Sequence, residues 1–287
     1  MTEPSTHTLE VPGAVLTYDV RSNDSSTEPT LLMIASPMGA AGFGTLSGYF
    51  ADRTVVTYDP RGVERSTRTD ATREVTPETH ADDLHRLITD LDAGPVDVFA
   101  SSGGASNALA LVARHPEHVR TLVAHEPPAA AYLPDREEAL AATQDIQQTY
   151  QRSGFGLAMA KFIAIVSHEG PIPDDFAEQP VDPATFGLPT EDDGSRDDLM
   201  LGSIVAGTQY QLDLDALSDA STRVVLAAGA ESLDILPGRA AVAVAEQLAM
   251  PPVIFPSGHA GFLGGEYGQT GDPEAFAVRL REVLDEG

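Results

Sequence analysis

The stretch Val96-Asp97-Val98-Phe99-Ala100-Ser101-Ser102-Gly103-Gly104-Ala105 decides how this chain folds. An apolar, β-branched run of strand length passes without a linker into Ser-Ser-Gly-Gly and then into an alanine- and leucine-rich helical pattern. A strand that turns at once into a helix presents the serine in the turn at the helix N-terminus. That turn is crowded, so the positions two before and two after the serine must be small. Around Ser102 they are Ala100 and Gly104, whereas Ser101 would place Phe99 in the tight position. Ser102 is therefore the candidate nucleophile, and the N–H of Gly103 falls where developing negative charge needs a donor.

Outward from this turn the same alternation continues. Strands are predicted at Ala14–Arg21, Leu31–Ser36, Thr54–Asp59, Val96–Ser101, Val119–His125, Arg223–Ala228 and Pro252–Pro256. The central runs are nearly all apolar, as expected of strands covered on both faces. Helices are predicted at Pro77–Leu91, Gly104–His115, Pro237–Leu248 and Pro273–Leu284, two of them opening with proline after a capping Thr76 or Asp272. Strands alternating with helices specify the α/β class with a mainly parallel sheet. The alternation breaks between Tyr132 and Leu217, where three helical patterns (Asp135–Arg152, Gly156–His168 and one near Asp197–Val205) occur without a strand. The expected organisation is a core of residues 1–131 and 218–287 with a helical cap insertion at 132–217.

Composition narrows the function. The chain has 287 residues, enough for a full core, and a formal net charge of −27. Such a charge repels nucleic acid and anionic membranes, so neither is an expected partner. No apolar run reaches the length of a bilayer span, and Met1-Thr2-Glu3-Pro4 opens no signal-peptide pattern. The absence of cysteine removes disulfides, thiolate ligands and cysteine nucleophiles and fits a cytoplasmic location. A homodimer is the assembly the sequence leaves open.

A serine hydroxyl needs a base within hydrogen-bond reach. Of eight histidines, His259 stands out, in Pro256-Ser257-Gly258-His259-Ala260-Gly261-Phe262 just after the last strand. Loops at the carboxyl edge of an open α/β sheet are where ligands bind. His80 and His85 lie on one helix without sharing a face, His115 and His118 flank a helix end, and His7 and His168 lie elsewhere, so no metal site is expected. The loop Ser36-Pro37-Met38-Gly39-Ala40 offers the second oxyanion donor. Pro37 has no N–H, which leaves Met38 ahead of Gly39.

Together these residues resemble the α/β-hydrolase superfamily. Tyr58-Asp59-Pro60-Arg61-Gly62-Val63-Glu64-Arg65-Ser66 is similar to its structural Asp-x-Arg-Gly-x-Gly-x-Ser stretch, with Glu64 in place of a glycine, and Ser36-Pro37 replaces its usual His-Gly. The resemblance implies a triad acid in one of two places. After Arg223–Ala228 the chain reads Gly229-Ala230-Glu231-Ser232-Leu233-Asp234, with serine where the acid is usual. After Val119–His125 it offers Glu126, which could instead be a structural partner of Arg120. Ser-Ser-Gly followed by His-Glu-x-Pro is similar to the zearalenone-type lactonases, favouring Glu126 over Asp234 and Glu231. The implied activity is cofactor-free cleavage of an apolar ester or lactone, a small-molecule substrate, through an acyl-enzyme. The cap would carry the substrate contacts, with Phe155, Met159, Phe162 and Ile163 as candidate lining. The rivals are a cofactor-free peroxidase or thioesterase on this scaffold and a non-catalytic binding module.

Overall fold

The computed structural model describes residues 3–70 and 75–286. Residues 1–2, on which part of the signal-peptide expectation falls, lie outside the described residues. One sheet carries nine strands: β1 (Ser5–Val11), β2 (Ala14–Arg21), β3 (Leu31–Ser36), β4 (Val55–Asp59), β5 (Thr67–Arg68), β6 (Val96–Ser102), β7 (Val119–His125), β8 (Arg223–Gly229) and β9 (Val253–Phe255). Their order is β1-β2-β4-β3-β6-β7-β8-β9, with β5 paired to β2. From β4 to β9 every pairing is parallel, while β1, β2 and β5 add antiparallel edges.

Side-chain alternation explains the two covered faces. Leu32, Ile34, Val98, Ala100, Leu122, Ala124 and Leu226 pack on α2 (Pro77–Leu91), α3 (Gly103–Arg114) and α8 (Leu236–Gln247). Leu31, Met33, Ala35, Phe99, Val123 and Ala227 pack with Leu46 of the short α1 (Gly44–Gly48) and with α9 (Pro273–Asp285). Between β7 and β8 the chain forms α4 (Arg136–Ser153), α5 (Phe155–Val166), α6 (Leu199–Thr208) and α7 (Leu214–Asp219). The first three of these share a separate apolar cluster that rests on Leu236, Ala240 and Ala243 of α8.

Among the described residues the buried carboxylates and guanidinium groups are paired. Asp97, at the start of β6, is fully buried and accepts from Arg53 at 2.6 Å and from Arg120 at 2.8 and 2.7 Å. Arg120 is thus committed to Asp97 rather than to Glu126. Asp59, at the end of β4, accepts from the Ala40 N–H at 2.8 Å and from Arg65 Nε at 2.7 Å. It thereby ties the loop after β3 to the loop after β4. Arg61 forks onto Asp83 of α2 at 2.7 and 2.5 Å, which fixes the same loop from the helix side. These bonds give the Tyr58–Ser66 stretch a structural role.

Candidate active site

Ser102 ends β6 and caps α3 with φ 56° and ψ −133°, a strained conformation for a residue with a side chain. The strain is imposed by close packing on β3. A methyl group on Gly104 would lie 2.6 Å from Ala35 Cα, and one on Gly103 would lie 2.8 Å from the Ser36 carbonyl oxygen. Both neighbours are backbone and cannot move aside, so glycine is required at each. Both serines border a cavity, but Ser102 is half-buried whereas Ser101 is almost fully buried and shares a 3.1 Å hydrogen bond with His125 Nδ1.

Glu126 follows β7 at φ 51° and is fully buried. Its Oε1 accepts from the Gly229 N–H at 2.7 Å, and its Oε2 lies 2.5 Å from His259 Nδ1. Burial raises the carboxyl pKa, but the His259 and Gly229 hydrogen bonds and the fields of His125 and His259 outweigh it, so the group sits below its ordinary value. An ionised acceptor at Oε2 places the proton of neutral His259 on Nδ1, which leaves Nε2 as the basic nitrogen. Glu231 and Asp234 are solvent-exposed, and no hydrogen bond joins either carboxylate to His259 among the described residues. Between them Ser232 is fully buried. Of the three candidate acids, the fold brings Glu126 to the histidine.

His125 lies beneath this pair. Its ring stacks on that of His259 at 6.1 Å and is boxed by Phe255, Phe262 and Phe276. Burial pushes its imidazole from 6.5 down to about 4, against the opposing field of Glu126. Between those two values the unfolded chain binds a proton that the folded chain refuses, so stability falls as pH drops from 6.5 to about 4. The full loss from this group is about 3 kcal/mol. Denaturant melts at several pH values should therefore show a shallower loss across that window for His125→Asn. His80, also held down to about 4 by burial, titrates in both proteins and cancels in the comparison. Equal slopes would refute the assignment.

The cavity above the elbow holds about 620 Å³. Ser102, Gly103, Met38, Glu126 and His259 line it on the sheet side. The Ser36–Pro37 peptide that leads into Met38 is cis. Across the cavity stand Phe162 and Ile163 of α5. Phe155 and Met159 do not line it and instead pack among α4, α5 and α6. The reason is that only the C-terminal half of α5 reaches over the opening. Leu199, Met200 and Ile204 of α6 and Leu236 of α8 complete the wall. Sequence reasoning did not single these out, although Leu199-Met200-Leu201 is a visible apolar run. A second correction concerns the remaining histidines. His85, His115 and His118, read as unrelated, stand together with ring nitrogens within 4.8 Å of one another.

A family model described as alpha/beta hydrolase fold matches residues 45–265. The chain belongs to the alpha/beta hydrolase fold family. Within it, the chain is 30% identical over 286 residues to the uncharacterized hydrolase YraK of Bacillus subtilis (strain 168), covering 97% of this chain and 95% of that protein. Among solved alpha/beta structures it is similar to a thermophilic esterase from Thermogutta terrifontis, with TM-score 0.67, 20% identity and 99% of each chain covered. An enol-lactonase from Burkholderia xenovorans LB400 aligns with TM-score 0.65 and 15% identity, over 97% of this chain and 100% of the other. At those identities the two structures speak for the alpha/beta hydrolase fold alone. No helix among the described residues is long and apolar enough to cross a membrane.

Proposed function

We propose that this hydrolase cleaves a neutral, apolar carboxylic ester or lactone through an acyl-enzyme, with Ser102 as nucleophile, His259 as base and Glu126 as the acid behind it. The observation that carries the reading is the buried Glu126 Oε2 at 2.5 Å from His259 Nδ1, beside a cavity that Ser102 shares. His259 Nε2 takes the Ser102 proton as Oγ adds to the carbonyl carbon. The N–H groups of Gly103 and Met38 receive the oxyanion. His259 then protonates the leaving alkoxide and draws a proton from the water that releases the acid. In a lactone the leaving alkoxide stays tethered to the acyl group, so one hydroxy acid is the product. The cap at 132–217 acts as a lid that covers the reacting carbonyl.

The substrate class follows from the walls. Phe162, Ile163, Leu199, Met200, Ile204 and Leu236 make the cavity predominantly apolar, and its volume suits a drug-sized molecule. A net charge of −27 disfavours an anionic substrate. The specific pairing of Ser-Ser-Gly with an acid after β7 supports lactones as part of the range. A fluorophosphonate probe with peptide mapping, run beside a panel of neutral aryl esters and lactones, tests the reading. The expected result is one labelled serine, Ser102, and turnover concentrated on apolar neutral substrates. Labelling at another residue, or none, would sink it.

A further inference from the structure

We propose that His85, His115 and His118 form a binding site for a divalent transition-metal ion of the imidazole-preferring kind, with zinc as its representative. The three residues come from different segments. His85 is on α2, His115 caps the C-terminus of α3, and His118 ends the turn that leads into β7. One ring nitrogen from each lies within 4.8 Å of the others, and all three side chains are half-buried. His85 Nδ1 and His118 Nε2 share a hydrogen bond of 2.8 Å, and the His115 ring stacks on His85 at 4.0 Å. Glu117 adds an anionic oxygen, 3.4 Å from His115 Nδ1 and 3.8 Å from His118 Nε2.

These positions are close to what a tetrahedral ion requires. Zinc–nitrogen bonds of about 2.0–2.1 Å place ligand nitrogens ~3.4 Å apart. The His85–His118 pair must open by about half an ångström, and His115 must turn off its stack toward the shared centre. Both are side-chain rotations, because the packing of α2 on α3 already holds the backbone. Three His ligands leave the fourth tetrahedral position to water or to the exposed Glu117 carboxylate, which lies beside two of the rings.

The Glu117 carboxylate beside two of the rings favours a cation here. The carbonyl end of α3 adds negative potential at His115. The α3 helix runs 12 residues from the elbow to this end, ~18 Å at 1.5 Å per residue. An ion here would clip α2 to the α3–β7 connection and take no part in the chemistry at Ser102.

The test uses full-length protein without a histidine tag, stripped with a chelator and titrated with zinc chloride by calorimetry. One equivalent should bind in the low micromolar range or tighter, raise the melting temperature and leave ester turnover unchanged. His85→Ala and His118→Ala should each weaken binding at least about tenfold, while His168→Ala should not. Histidine-ring nitrogen NMR of the wild type needs no variant to fold, and zinc should move the resonances of His85, His115 and His118 first. Zinc affinity weaker than about 100 µM in the wild type would overturn the proposal. So would equal affinity in the His85→Ala/His118→Ala double variant, or first shifts at other histidines.

Discussion

Ser102→Ala should lower kcat on a neutral aryl ester by about 10⁴- to 10⁶-fold, with KM changed little, and should abolish fluorophosphonate labelling. Alanine keeps the Cβ, so neither the φ of 56° nor the packing of the turn on Ala35 changes. Only the oxygen is lost, and with it the proposed acyl-enzyme route. The residue beside it is the internal control. Ser101 Oγ is buried and bonded to His125 Nδ1 at 3.1 Å, so Ser101→Ala leaves a buried ring nitrogen without a partner. That change should cost about 1–3 kcal/mol of stability while kcat stays within about tenfold. Steady-state kinetics and denaturant melts on the two variants separate the roles. Comparable kcat losses from both would mean that the elbow register is wrong.

The parallel strands were legible because burial on both faces writes a continuous apolar run, as in Leu31–Ser36 and Val119–His125. β1 was not, because Ser5–Val11 is a largely exposed edge strand whose polar residues resemble a loop. Ser102 and His259 could be singled out as candidates because each sits in a recognisable local pattern, a strand–turn–helix serine and a histidine in a loop after the last strand. The acid had no such pattern. Glu126 and His259 are 133 residues apart, and the sheet order β7-β8-β9 is what joins them. The same holds for the histidine cluster: helical spacing on α2 says nothing about His115 and His118, which arrive only when α3 packs on α2. The lining of α5 was half legible, since periodicity names a stripe without saying where along the helix the cavity begins.

Glu126→Gln should lower kcat by about 10⁴-fold, whereas Glu231→Gln and Asp234→Asn should leave it within a few-fold. The argument depends on which way the new amide must point. Oε1 of Glu126 accepts from the Gly229 N–H at 2.7 Å, in a site closed to solvent. The glutamine carbonyl oxygen must take that place, because an NH₂ group there would oppose a buried N–H. Its NH₂ then faces His259 Nδ1, the atom now 2.5 Å from Oε2. His259 can meet a donor only by presenting the Nδ1 lone pair, so the proton moves to Nε2, the nitrogen that should accept from Ser102. The base is lost although every residue around it stays in place. Far-UV circular dichroism should be unchanged, and the ring nitrogens of His259 should show the tautomer shift in NMR. Near-full turnover in Glu126→Gln would remove Glu126 from the triad. Glu231, Asp234 or some other orienting group would then have to move toward His259, and the order of Ser102, Glu126 and His259 along the sheet edge would lose its catalytic meaning.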